Sequence, residues 1–183
     1  MFDFNKVGNV PEEISGAVKD LFSEMYLFEY GAFINGKKIV PPEYREINFE
    51  KDYKTLSIDT MRRERIGNCW DYVNYQQYKL DAVDIHTDCG MLLATINGGE
   101  CLTHTFSIVY DNDKMYWFEH CLFRCRGVHE IKSLNELMDW FMDIYGIDQG
   151  AAMYLYRVDD SMFGISPGDY FKKATAGGPV LTR

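Results

Sequence analysis

The sequence predicts an α+β fold in which an antiparallel sheet packs against helices. Apolar residues recur at helical spacing toward both ends of the chain, and short β-like runs follow one another through the middle. The composition is globular: 183 residues, 46% hydrophobic and 26% charged. That length suits a single domain spanning 1–183, able to bury a core without disulfide or metal staples.

Pro11 fits the first turn of a helix. Beyond it Ile14, Val18, Leu21, Phe22, Met25 and Phe28 fall three and four apart, an amphipathic stripe that ends near Gly31. Gly36 and Pro41-Pro42 mark a turn-rich connection, and residues 44–66 are highly charged with no clear pattern. A second helix should begin at Cys69. Asn68 before it is a favourable N-cap, and Asp71 at the third helical position completes a capping-box pair. Trp70, Val73 and Leu80 give that helix a buried stripe.

Runs over 83–87, 90–97, 102–110 and 114–121 read as strands. Gly98-Gly99 separates the second from the third, and Asp111-Asn112-Asp113 the third from the fourth. Ser133 caps a third helix, with Glu136 three positions on. Leu134, Leu137, Met138, Phe141 and Ile144 form its apolar face, and Gly146 ends it. Residues 153–158 make one more strand. Residues 174–183, with Gly177-Gly178-Pro179, read as a loose tail behind a core over 60–160.

Nineteen Lys and Arg against 28 Asp and Glu leave a net charge of −9. That speaks against nucleic acid, which needs a basic footprint. The one basic cluster, Arg62, Arg63 and Arg65, is broken by Glu64 and reads as a solvated face. No apolar run reaches the roughly 18 residues of a membrane span, so no membrane partner is expected. Met1-Phe2-Asp3-Phe4 lacks the basic start and long apolar stretch of a secretory signal. With five cysteines, an odd number, the expectation is a reducing, cytoplasmic setting with free thiols.

The chemistry concentrates on three residues. At the first position of a helix, Cys69 meets unpaired backbone N–H groups and the positive end of the dipole, which favour a thiolate. Its own N–H can also face a developing oxyanion. His104 opens the run Thr103-His104-Thr105-Phe106, and Tyr116-Trp117-Phe118-Glu119 follows almost at once. A two-residue turn at Asp111-Asn112 would pair Phe106 with Trp117 and His104 with Glu119. The carboxylate would then accept the imidazole Nδ1–H and steady the imidazolium, giving a nucleophile, a base and an orienting acid. A three-residue turn would instead set His120 opposite His104.

Gly67-Asn68-Cys69-Trp70-Asp71, Thr103-His104-Thr105-Phe106 and Tyr116-Trp117-Phe118-Glu119 together resemble the core of the transglutaminase-like superfamily of papain-related thiol enzymes. The resemblance covers roughly residues 60 to 121 and rests on short motifs. It implies a papain-like core in which a helix starting at the nucleophile packs on an antiparallel sheet. Carried over, Cys69 is the nucleophile, His104 the general base and acid, and Glu119 the orienting acid. Compact members share the fifteen-residue separation of His104 and Glu119. Two departures stand out: the family's acid is usually Asp, and the Asp-Pro that often follows is replaced by His120-Cys121. No upstream polar side chain matches the family's oxyanion donor.

The implied activity is acyl transfer on a peptide bond or glutamine amide through a thioacyl intermediate, with a peptide or protein as substrate and no metal or organic cofactor. Trp70, Phe106 and Trp117 are candidates for the walls of an acyl or peptide groove. The same Cys, His, acid order also resembles arylamine N-acetyltransferases, which use acetyl-CoA, though those chains are longer and have a third domain. A different class is a non-catalytic binding module on the same fold. His120, Cys121, Cys125 and His129 could form a zinc site, but paired C-x-x-C knuckles are missing. Cys89 and Cys101 could lie close across a hairpin.

Overall fold

The computed structural model describes residues 2, 3, 5, 8–96, 100–147, 151–158 and 162–183. In chain order it contains α1 (Gly16–Met25), the short strands β1 (Glu29–Tyr30), β2 (Ala32–Ile34) and β3 (Lys37–Ile39), a 3-10 turn at Glu43–Glu46, and the helices α2 (Phe49–Asp52) and α3 (Ile58–Glu64). Then come β4 (Ile66–Gly67), α4 (Cys69–Asp81), β5 (Thr87–Ile96), β6 (Glu100–Asp111), β7 (Lys114–Glu119) and β8 (Gly127–Ile131). The chain closes with α5 (Leu134–Tyr145), β9 (Met153–Val158), α6 (Pro167–Thr175) and β10 (Leu181–Thr182).

One antiparallel sheet of six strands, in the order β10-β9-β5-β6-β7-β8, forms the centre. This is an α+β architecture with a helix that begins at Cys69. Alternation along the strands feeds two cores. Val109, Tyr116, Phe118 and Val128 pack with Val18, Leu21 and Met25 of α1 and with Tyr72 and Tyr75 of α4. Phe106, Ile108, Trp117 and Ile131 point to the other face, against Leu137, Met138 and Phe141 of α5. A third cluster sets Cys89, Met91 and Val73 against Tyr170 and Ala174 of α6. Burying side chains of this size is worth about 1.5–3 kcal/mol each. Packing of that magnitude holds α4, whose Trp, Tyr, Val and Asn content gives it little intrinsic helix propensity.

The β6–β7 hairpin decides the site. Its two turn residues are Asn112 and Asp113, with φ of 50° and 59°, the left-handed pair that a tight hairpin requires. Asp111 therefore pairs with Lys114 and Ile108 with Trp117. The turn lies one residue later than Asp111-Asn112, and the register is two residues away from the expected one. An even shift leaves every side chain on its expected face, and the three-residue alternative that would bring His120 round does not occur.

Other differences have local causes. The first helix spans less than its apolar stripe, because Glu29 and Tyr30 leave it to pair in parallel with Ile66 and Gly67. Residues 83–86 are not a strand: Asp84 turns with φ of 57°, and the Ile85 amide caps α4 by donating to the Leu80 carbonyl at 3.0 Å. At the chain's end, where a tail was expected, Leu181 pairs with Leu155 and Thr182 with Tyr154. Gly98-Gly99 lies outside the described residues.

Candidate active site

Cys69 sits at the tip of α4 because a reciprocal cap starts the helix there. Asn68 Oδ1 accepts from the Trp70 amide at 3.0 Å and the Asp71 amide at 3.4 Å, while the Asn68 amide donates to Asp71 Oδ2 at 2.9 Å. Asp71 is buried and does more than cap. It also accepts the Leu56 amide at 2.7 Å and the Tyr53 hydroxyl, so the 53–56 segment is tied to the helix tip. Burial pushes the Asp71 carboxyl up to about 6, against the pull of these hydrogen bonds.

His104 stands on β6 and Glu119 is the last residue of β7. The pairing of these strands ends at Ser107 with Phe118, so the stretch of β6 that carries His104 runs on without a β7 partner. Continuing the register would set Glu119 across from Phe106, diagonal to His104 and on the same face. The longer acid side chain spans that diagonal: His104 Nε2–H donates to Glu119 Oε2 at 2.7 Å. The nitrogen that meets the carboxylate is thus Nε2, where Nδ1 was expected. Glu119 Oε1 accepts the amides of Cys121 at 2.6 Å and Leu122 at 2.8 Å, which saturates the acid.

With Nε2 occupied, Nδ1 is the imidazole nitrogen left for the Cys69 thiol, which contributes to raising the pKa of the ring. α4 packs on the sheet face opposite to His104. Its tip meets the imidazole where β7 has ended, and Tyr72, one turn along, packs edge-on against His120 just past that end at 4.8 Å. Burial alone would lower the His104 pKa. The charge of Glu119 and hydrogen bonds to Cys69 and Glu119 overcome that and raise it well above the ordinary imidazole value. Burial likewise opposes ionisation of Glu119, but His104 and the two amides hold its pKa below the usual carboxylate value. The pair favours imidazolium and carboxylate.

Three phenols surround the group, and none was singled out from the sequence. Tyr30 and Tyr44 have rings 5.3 Å apart, and Tyr145 packs at 6.2 Å from His104. All three are pushed far up, first by burial and also by the charge of Cys69 or Glu119, and so stay neutral. Their sequence neighbourhoods carry no signal for this, because each arrives from a different element.

Of the proposed groove residues, Trp70 alone keeps exposed surface. It is half-buried, in an aromatic belt with Phe49 at 6.1 Å, Tyr53 at 6.2 Å and Tyr170 at 5.9 Å. Phe106 and Trp117 are 2% and 0% exposed, covered by α5, and are core rather than groove. Phe106 lies flat on Gly90, where a Cβ would come within 2.6 Å of the ring. His129 Nε2 donates to the Cys125 carbonyl at 2.7 Å, and burial with the Arg126 charge takes His120 down to about 3. No three metal-ligating side chains converge among the described residues. Cys89 pairs with Ser107 while Cys101 pairs with Thr95, which sets these two cysteines far apart on the ladder; all five thiols are free.

No family model matches the sequence, and a search of curated proteins finds no relative. Among solved structures the chain is similar to an arylamine N-acetyltransferase from Bacillus cereus, described as having a unique Cys-His-Glu catalytic triad. The two are 14% identical with a TM-score of 0.43, over 97% of this chain and 75% of that one. No helix among the described residues is long and apolar enough to cross a membrane.

Proposed function

We propose that the protein is a cysteine-dependent acyl-transfer enzyme with Cys69 as nucleophile, His104 as proton carrier and Glu119 as the acid that orients it. One observation carries this reading: a buried carboxylate grips one nitrogen of an imidazole at 2.7 Å, and a thiol at a helix tip acts on the same ring. The Cys69 thiolate attacks the carbonyl carbon of an amide, forming a C–S bond. The C–N bond then breaks as the His104 imidazolium gives its proton to the departing nitrogen. Neutral His104 next takes a proton from water as it attacks the thioester, and the thiolate leaves. A peptide bond or a glutamine side-chain amide suits this chemistry, and an amine in place of water would give a cross-link. Trp70, next to the nucleophile in the chain and half-buried, would contact the acyl chain in this reading.

A non-catalytic binding module is the second reading, favoured by burial: Cys69 is 9% and His104 4% exposed. Alkylation with iodoacetamide, followed by peptide mapping, separates the two. As the proposed nucleophile, Cys69 should be labelled ahead of the exposed Cys101, while Cys89 and Cys125, pushed up to about 12 by burial, stay thiols. His104→Ala should slow labelling at Cys69 and lower ammonia release from a glutaminyl peptide by about 10²- to 10⁴-fold. Labelling of Cys69 no faster than Cys101 would defeat the enzyme reading. Adding a primary amine to the peptide assay distinguishes transfer from hydrolysis, and new amino termini would mark peptidase action.

A further inference from the structure

We infer that the side-chain amide of Asn68 is the second donor of an oxyanion site whose first donor is the Cys69 backbone N–H; this rests on the acyl-transfer reading above. Asn68 is 1% exposed. Its Oδ1 receives the Trp70 and Asp71 amides, and two backbone donors on one arm fix that arm as the oxygen. Nδ2 is therefore the arm turned away from the helix. It has no hydrogen-bond partner among the described residues, although buried donors are nearly always matched.

The backbone shows the same gap. The Asn68 amide is taken by Asp71, and those of Trp70 and Asp71 by Asn68. Among the described residues no acceptor meets the Cys69 amide. Two unused donors thus sit on adjacent residues at the helix tip that carries the sulfur. When the thiolate adds to a carbonyl, the C–S bond forms and the π pair moves onto oxygen, two bonds from that sulfur. The pair returns as the leaving group departs. Donors idle in the resting protein and matched only at this stage lower the barrier without tightening substrate binding.

The test compares two reactions at one thiol. p-Nitrophenyl acetate acylates through an oxyanion, whereas iodoacetamide displaces iodide at a saturated carbon and forms none. Asn68→Ser keeps an oxygen for the N-cap and removes the amine. Acylation of Cys69 should fall by about 10²- to 10³-fold while alkylation holds its rate. Unchanged acylation in Asn68→Ser overturns the inference. So does a parallel fall in both reactions, which would leave Asn68 only a positioning role. Wild-type protein whose Cys69 neither outpaces Cys101 in alkylation nor acylates would instead overturn the acyl-transfer reading.

Discussion

At the residue scale, the length of the acid decides the His104–Glu119 contact. Diagonal cross-strand neighbours have backbones about 7–8 Å apart, and glutamate covers that offset. Glu119→Asp keeps the charge but should lose the 2.7 Å hydrogen bond, slowing amide cleavage about as much as Glu119→Gln does. The pH profile has a definite sign. His104 is held above 6.5, so the imidazolium that protonates the leaving nitrogen persists through neutrality and is lost as pH rises through that raised value. Glu119 is held below 4.5 and stays ionised until pH falls through its lowered value. The proposed cleavage should therefore show an alkaline limb set by His104, and in Glu119→Gln that limb should move to lower pH. A limb that stays in place would mean that the carboxylate does not retain the proton on His104. The same linkage makes the pair's contribution to folding complete between the ordinary values, 4.5 and 6.5.

At the element scale, α4 is held by its start more than by its length. Asp71 joins the Asn68 and Leu56 amides and the Tyr53 hydroxyl in one buried carboxylate. Asp71→Asn turns an amine toward a backbone donor and should cost about 1.5–3 kcal/mol in urea unfolding. It should also slow alkylation of Cys69, because the tip loses its tie to residues 53–56. On the far face, β5 accepts the Phe106 ring only because residue 90 has no side chain. Phe141 presses on that ring with centroids 4.9 Å apart, so the ring has no room to retreat. Gly90→Ala should lower stability by about 1–3 kcal/mol, and an unchanged unfolding midpoint would contradict the packing described.

At the scale of the whole molecule, what the sequence revealed followed local rules. Asn68 and Asp71 announced where α4 starts because capping is a matter of three adjacent residues. His104 and Glu119 could be placed on one face because strand alternation survives a register error of two. Alternation could not say whether a later helix covers that face, and α5 does, which is why Phe106 and Trp117 are core. Tyr30, Tyr44 and Tyr145 could not be anticipated around Cys69, since their meeting depends on packing between elements far apart in the chain. α6 follows a local rule as well: Ser166 accepts the Asp169 amide at 3.2 Å, and Pro167 follows at the first helical position. The end of the chain fastens the sheet's edge. The Met153 amide donates to the Arg183 carbonyl at 2.9 Å, the Val180 amide to the Leu155 carbonyl at 2.8 Å, and the Arg183 guanidinium meets Asp139 of α5. Removing residues 180–183 should speed hydrogen exchange at the Met153 amide while leaving β6 and β7 protected.

The left-handed pair Asn112-Asp113 also limits how this hairpin can change over evolutionary time. Sliding the two strands past one another by two positions keeps imidazole and acid on a common side and alters only their reach. A slide of one carries the carboxylate through the sheet to the side of Tyr72 and Tyr75, and the histidine is left without its counter-ion. The tight turn thus fixes the side of the sheet on which the carboxylate emerges, and a longer loop is compatible with the pair only where it keeps that pairing parity.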